Sequence, residues 1–224
     1  MNEFYSDEQR ALQDRFETRE IADAHLAANA AGILHDEVRE PQKAFIESRD
    51  MFFLSTVDSM GQPTCSYKGG DPGFVRVVNA KTIVFPSYDG NGMFFSLGNI
   101  QATSRVGMLF IDFERPNRLR LHGIATVAED DPLIEDYPGA EMIVRVAVGN
   151  LFVNCPRYVH RYQKVTASRY VPRADSATPL AEWKRIDLLQ DALPPRDRVK
   201  IDPAGGVITV EEYDAKVAAG TGEG

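Results

Sequence analysis

Between residues 51 and 152 the chain is a succession of short β-prone runs cut by turn residues, with a single helical stretch among them. That texture leaves few folds open. Residues 51–57 (MFFLSTV) are apolar and rich in strand formers, Asp58-Ser59-Met60-Gly61 reads as a turn, and 62–68 alternates in the manner of a returning strand. Gly69-Gly70-Asp71-Pro72-Gly73 breaks the chain before a strand at 74–78, and Asn79-Ala80-Lys81 turns it into another at 82–85. Residues 93–103 have helical texture and are entered through a glycine-bearing loop. Next, 105–113 suits a buried strand through Val106, Met108, Leu109, Phe110 and Ile111, and Arg115-Pro116-Asn117 turns it back. Its partner at 119–127 sets Leu119, Leu121, Gly123, Ala125 and Val127 on one face and Arg120, His122, Ile124 and Thr126 on the other. A last strand at 141–152 follows a connection rich in Pro and Asp. A doubly wound sheet needs strands and helices in alternation, so the expected class is mainly β (α+β), a small barrel with one inserted helix.

The flanks differ from this middle. Residues 1–43 read as a helical lead-in. Ser6-Asp7-Glu8-Gln9 has the spacing of a capping box, Leu12 and Phe16 share a face, and the helix is expected to run to about Asn29. A shorter helix is expected after Pro41, with Ala44, Phe45 and Ile46 as its apolar side. The barrel domain is placed at 44–170. Beyond it, 171–224 reads as an extended arm, because Pro172, Pro179, Pro194, Pro195 and Pro203 interrupt it. Thr209-Val210-Glu211-Glu212 is set to cap a final helix, and 220–224 is expected to fray.

A chain of 224 residues that is 43% hydrophobic can bury one substantial core. Its formal charge of −8 argues against a nucleic-acid partner, which would need clustered Lys and Arg to neutralise phosphates. No apolar run approaches the roughly 18 residues of a membrane span, and the start Met1-Asn2-Glu3-Phe4 has neither the basic nor the apolar part of a signal peptide, so the expected compartment is the cytoplasm. Cys65 and Cys155 form no C-x-x-C pair and read as buried thiols. His25, His35, His122 and His160 show no metal-ligand spacing, so no metal site is expected. No Ser-His-Asp order stands out, and Asp130 and Asp131 sit in a turn-like loop where solvation explains them.

Several segments stand in an order with a known counterpart. They are Phe53-Leu54-Ser55-Thr56-Val57-Asp58 with Gly61-Gln62-Pro63, then Lys68-Gly69-Gly70-Asp71-Pro72-Gly73-Phe74-Val75, then Phe85-Pro86-Ser87 through Asn91. Ser96-Leu97-Gly98-Asn99-Ile100, Arg105-Val106-Gly107 and Phe152-Val153-Asn154-Cys155-Pro156-Arg157-Tyr158 follow. Over 44–161 the chain resembles the FMN-binding split-barrel proteins related to pyridoxamine 5′-phosphate oxidase. The resemblance is to a subgroup and not to the oxidase itself, whose tryptophan- and arginine-bearing substrate segment has no counterpart after Gln163; Trp183 stands in another context.

The resemblance implies a split β-barrel, FMN as cofactor, and a homodimer with the flavin sites at the subunit interface. It also implies an oxidoreductase passing a hydride or electrons between FMN and a small molecule. FMN needs a phosphate site, polar partners for the ribityl chain and ring edge, and an apolar wall. Ser87, Asn91, Ser96 and Asn99 offer neutral hydrogen-bonding groups, with Phe85, Pro86 and Leu97 beside them. The N-terminal end of the 93–103 helix adds free N–H groups and a favourable dipole. Ser87 and Asn91 also suit a plain turn. Lys68, with Ser66 two residues earlier on its face, stands where relatives present a basic residue to the flavin; a solvated charge is the other reading. Many relatives carry an arginine where this chain has Met93, which shifts phosphate binding toward backbone N–H groups. For Arg118 and Arg120 the expected fate is surface pairing with Asp112 or Glu114. Asn154 and Arg157 resemble the segment that approaches the partner subunit's flavin, against an ordinary salt bridge for Arg157. Two alternatives stay open: a flavin carrier, sensor or stress-related binder without turnover, and a haem or deazaflavin binder on the same fold.

Overall fold

The computed structural model describes residues 4–27 and 33–221. The lead-in helix is two helices, α1 (Asp7–Arg15) and α2 (Arg19–Leu26). The Ser6/Gln9 capping box forms as read, with Ser6 Oγ accepting from Gln9 N and Gln9 Oε1 accepting from Ser6 N. Glu17 then adopts a left-handed φ of 55°, which ends the helical run. No residue of α1 is buried, so Leu12 and Phe16 face solvent and supply no packing to carry one helix through the break. The expected end at Asn29 lies outside the described residues, as does the expected fraying beyond Thr221. A short strand β1 (Leu34–His35) follows, then α3 (Glu40–Glu47) with Pro41 in its first turn.

The barrel strands are β2 (Met51–Val57), β3 (Pro63–Gly69), β4 (Arg76–Asn79), β5 (Thr82–Tyr88), β6 (Arg105–Asp112), β7 (Asn117–Ala128) and β8 (Ala140–Asn154), with α4 (Phe95–Thr103) between β5 and β6. Among the described residues they form one eight-stranded antiparallel sheet in the order β3-β2-β6-β7-β8-β5-β4, with β1 on β8. This is the α+β split barrel that the sequence implies. β8 organises it. From Ile143 to Asn154 it pairs with β7; its first part pairs with β5 from Ala140 to Ala147, and its far end pairs with β1 at Leu151 and Phe152.

Alternation of side chains fills the interior. Leu119, Leu121 and Ala125 of β7 point inward while Arg120, His122, Ile124 and Thr126 are exposed, the partition expected from period two. Phe52 of β2 is the hub of the core. It is fully buried, and its ring lies 5.0 Å from Phe85, 5.3 Å from Phe110 and 5.9 Å from Phe74. Phe74 and Val75, read as strand, are instead buried core residues just ahead of β4.

Beyond β8 the chain is largely irregular. Short 3₁₀ segments at Glu182–Arg185 and Asp187–Ala192 precede α5 (Pro195–Arg198) and α6 (Val210–Ala218), and α6 is capped by Thr209 and Glu212 as the sequence implied. Both cysteines are exposed, which corrects the reading of buried thiols. Along β3 the half-buried face is Thr64, Ser66 and Lys68, so Cys65 falls on the outer face with Tyr67; Cys155 lies just past the end of β8. Among the described residues no helix is long and apolar enough to cross a membrane.

Candidate functional site

The site lies where the barrel is split. Among the described residues β3 pairs only with β2, and β5 pairs with β4 only as far as Val84, so Phe85 to Tyr88 hold a strand partner on the β8 side alone. A free edge tolerates the missing N–H of Pro86, which is why β5 continues through a residue that reads as a breaker. The start of α4 sits at this opening, and the helix is pinned from beneath. Asn99 Nδ2 donates to Thr56 Oγ1 at 3.0 Å and Thr64 Oγ1 at 3.4 Å, those two hydroxyls are 3.0 Å apart, and Thr103 Oγ1 donates to Val57 O at 2.8 Å.

A cavity of about 570 Å³ occupies the split, within the size range of small-molecule sites. Ser66 and Lys68 of β3 line one side, Ser87 and the loop through Asn91 another, and Ser96 and Leu97 of α4 the end. Phe85 and Pro86, with Lys68, Ser87 and Leu97, line a smaller adjoining hollow of about 260 Å³. The structure therefore brings eight of the sequence-predicted residues to one place: Ser66, Lys68, Phe85, Pro86, Ser87, Asn91, Ser96 and Leu97.

The polar groups differ in how they are engaged. Ser66 Oγ and Ser96 Oγ lie 2.7 Å apart, joining β3 to the first turn of α4. The helix begins two residues later than expected, because Phe94 takes a left-handed φ of 51° at the N-cap and offers no side-chain cap. The first N–H groups of α4 thus have no partner within the helix and none from the cap residue. Asn91 Oδ1 accepts from Met93 N at 3.1 Å, a turn-forming role. Lys68 is half-buried, has no carboxylate partner among the described residues, and burial holds its ammonium below the usual lysine range. An unpaired cation on a cavity wall favours an anionic group of a ligand.

Three residues not foreseen as site members also line the cavity: Asp89, Glu141 and Arg196. Arg196 comes from α5, far along the chain, and bonds Glu141 at 2.5 Å and Asp89 at 3.3 Å. Asp89 lay beside the expected loop residues, but nothing in the sequence marks Arg196. A second cleft of about 680 Å³ shares Tyr88 and Asp89 with the first and runs beneath residues 162–171.

Asn99, Asn154 and Arg157 stand apart. Asn99 is buried beneath α4 with its amide on the threonines, and it lines neither hollow. Asn154 ends β8 and lines a separate cavity with Phe4, Tyr5, His25, Arg120 and His122. Arg157 is exposed, its guanidinium 5.9 Å from the Tyr158 ring centroid. Arg118 and Arg120 do not pair as expected: Asp112 takes Arg49 at 2.9 Å, and Arg118 donates to Cys155 O at 2.8 Å. Asp131, read as a solvated loop residue, is 5% exposed and accepts two hydrogen bonds from Arg145.

A family model described as pyridoxamine 5′-phosphate oxidase matches residues 38–161, more than half of the chain. Similar solved structures include a putative pyridoxamine 5′-phosphate oxidase from Lactobacillus delbrueckii, 20% identical, covering 53% of this chain and 95% of that one at a TM-score of 0.43. An FMN-binding protein from Syntrophomonas wolfei is 12% identical, covering 65% and 97% at a TM-score of 0.40. HutZ, the heme storage protein from Vibrio cholerae, is 22% identical, covering 51% and 93% at a TM-score of 0.39. None of the curated proteins matches.

Proposed function

The chain belongs to the pyridoxamine 5′-phosphate oxidase family, and from that premise and the chemistry of the split we propose that it binds FMN and acts as an FMN-dependent oxidoreductase on a small organic molecule. The observation that carries the cofactor reading is Lys68, a half-buried ammonium with no carboxylate partner among the described residues, set on the wall of a cavity that also receives the uncapped start of α4. Both features favour an anion, in a chain whose net charge would otherwise repel one.

In this reading Lys68, the Ser66/Ser96 hydroxyl pair, Ser87 and the first N–H groups of α4 hold the polar parts of FMN, and Phe85, Pro86 and Leu97 wall its apolar part. When bound, FMN supplies the ring that accepts or donates hydride or electrons. The chain's residues bind it, orient it and exclude water. Arg196 neutralises Asp89 and Glu141 at the cavity, which keeps two carboxylates from repelling the cofactor. Met93, where many relatives carry an arginine, leaves the backbone N–H groups with more of the phosphate binding.

The reading includes a homodimer. Met93, Phe94 and Phe95 are 60%, 51% and 55% exposed at the lip of the cavity, an apolar edge that a second copy can cover. Asn154 and Arg157, which do not reach the cavity of their own chain, are then available to the partner's. The proposed compartment is the cytoplasm. A second reading, a flavin binder without turnover, is favoured by one observation: Asp89 and Glu141 are both held in ion pairs, which leaves the cavity little free acid–base capacity.

The first test is the absorbance spectrum of the purified protein. A flavin spectrum, or its appearance on adding FMN, supports the reading; a colourless protein that takes up no FMN overturns it. Oxidation of a nicotinamide coenzyme in proportion to bound flavin separates enzyme from binder. In sedimentation, a monomer that keeps tightly bound FMN would contradict the shared site.

A further inference from the structure

The arm beyond residue 181 lies outside the segment matched by the family model, yet it reaches the cofactor loop through charge. Lys184 is 3% exposed and its Nζ donates to Asp197 Oδ2 at 2.9 Å and to Asp89 Oδ2 at 2.5 Å. Asp197 is 2% exposed and belongs to the arm itself. Within the arm, therefore, the buried ammonium already has a buried carboxylate. The second bond leaves the arm and grips Asp89, between the end of β5 and the glycine-flanked Asn91 turn. Burial alone would depress the Lys184 ammonium; the two carboxylates outweigh it and hold the group above its ordinary value, so it stays charged.

Asp89 receives a second cation from the same arm, Arg196 Nη2 at 3.3 Å, and Arg196 Nη1 also binds Glu141 of β8 at 2.5 Å. The arm is a body able to transmit position. Ile186 bridges Ile208, Leu193 and Ile201 are buried with them, and Arg185 donates to Gly205 O and Gly206 O at 2.9 and 2.8 Å. The loop it grips is weakly self-supporting: Gly90 and Gly92 flank Asn91, Gly92 has a φ of 76°, and residues 89–95 are all exposed. Lys184 does not line the cavity, so its action is on the residues that do.

We propose that Lys184 is a positioning residue for the cofactor loop, so that docking of the arm and binding of FMN are two faces of one coupled equilibrium. The inference rests on the FMN reading above. By reciprocity, FMN tightens the arm by the same factor by which the docked arm tightens FMN.

The test uses the full chain with Lys184→Met, Asp89→Asn and the double variant. FMN affinity is measured by quenching of flavin fluorescence, and hydrogen exchange is followed at 88–94 and 182–201 with and without FMN. Each single variant is expected to raise the Kd on the order of tenfold, and the double variant no further than the singles. Exchange at 88–94 should quicken in the ligand-free variants while the core strands stay protected, and FMN should slow exchange at 182–201 in the wild type but not in Lys184→Met. A Lys184→Met protein with a lower melting temperature, an FMN Kd within twofold of wild type and unchanged exchange at 88–94 assigns the residue to stability alone and overturns the proposal. If Lys184→Met fails to fold, Asp89→Asn decides, since Asp89 is half exposed and the arm keeps its own Lys184–Asp197 pair. A wild type that takes up no FMN overturns the cofactor reading and the coupling together; a wild type that binds while both variants bind equally overturns the coupling alone.

Discussion

Replacing Lys68 by methionine should move stability and cofactor affinity in opposite directions. The side chain is half-buried on the inner face of β3 and has no carboxylate partner among the described residues, so its charge in the ligand-free protein costs desolvation without return. Its folded pKa lies below the ordinary value because of that burial. Between the folded and unfolded values the unfolded chain binds more protons, so stability contributed by this site rises with pH across that window; below it, the charged lysine is a penalty. Methionine keeps the length and removes the penalty, so the ligand-free variant should melt at the same temperature as wild type or higher.

In the proposed FMN complex the same ammonium would face an anionic group. Two unit charges about 4 Å apart attract by roughly 4 kcal/mol at an effective dielectric constant of ~20, most of it offset by desolvation, and hydrogen bonds to charged groups retain about 1.5–3 kcal/mol. Lys68→Met should therefore raise the FMN Kd roughly 10- to 100-fold. Wild-type affinity should also fall as pH climbs through the lysine's titration, a dependence absent from the variant. Fluorescence-quenching titrations across pH and a ligand-free thermal melt measure both effects. A variant that binds FMN within twofold of wild type, or that loses stability when ligand-free, refutes the assignment of Lys68 as the unpaired cation of the site.

Three other outcomes are expected. Phe52→Ala, at the centre of four packed rings, should cost about 3–5 kcal/mol in urea unfolding with little change in slope. Asn99→Ala should lose about 1–3 kcal/mol of stability by leaving the buried Thr56 hydroxyl short of a partner, while FMN affinity stays within a few-fold; a selective loss of affinity would return Asn99 to the cofactor. Asp131 is held below the usual carboxylate range chiefly by its hydrogen bonds from Arg145, so its contribution is present above about pH 4 and is lost as pH falls through the lower folded value. Asp131→Asn should flatten that acid limb of stability and cost about 2–3 kcal/mol near neutral pH, less than a wholly buried pair because the Arg145 side chain is 33% exposed.

The barrel was legible because its strands carry their own signals: apolar runs, period-two alternation in β7, and turn residues between them. Ser66 and Lys68 were legible by parity, and the same parity places Cys65 on the outer face, where its position in the strand overrides the general preference of a free cysteine for the interior. Where the reading slipped, a local preference met a tertiary circumstance. Pro86 stays in a strand because the edge beside it is free, Phe94 delays α4 by adopting a left-handed backbone, and Glu17 breaks a helix with no core to rest on. The clamp on Asp89 had no local signature at all. Lys184 and Arg196 lie 95 and 107 residues from it, and a charge in a proline-interrupted arm looks the same whether it meets solvent or a partner.

The shared strand β8 also dictates when the protein can become a barrel. β5 and β1 are made early, but the hydrogen bonds they need are offered by residues 140–152, so β5 must wait across some sixty residues of chain and β1 across more than a hundred. During synthesis the β2–β3 hairpin can close on its own, while the wall of the split that carries Phe85, Pro86 and Ser87 stays an unpaired ribbon until β8 leaves the ribosome. A nascent chain halted before Ala140 thus lacks the strand that β1, β5 and β7 all pair with, and its apolar face stays bare until that one long strand is added.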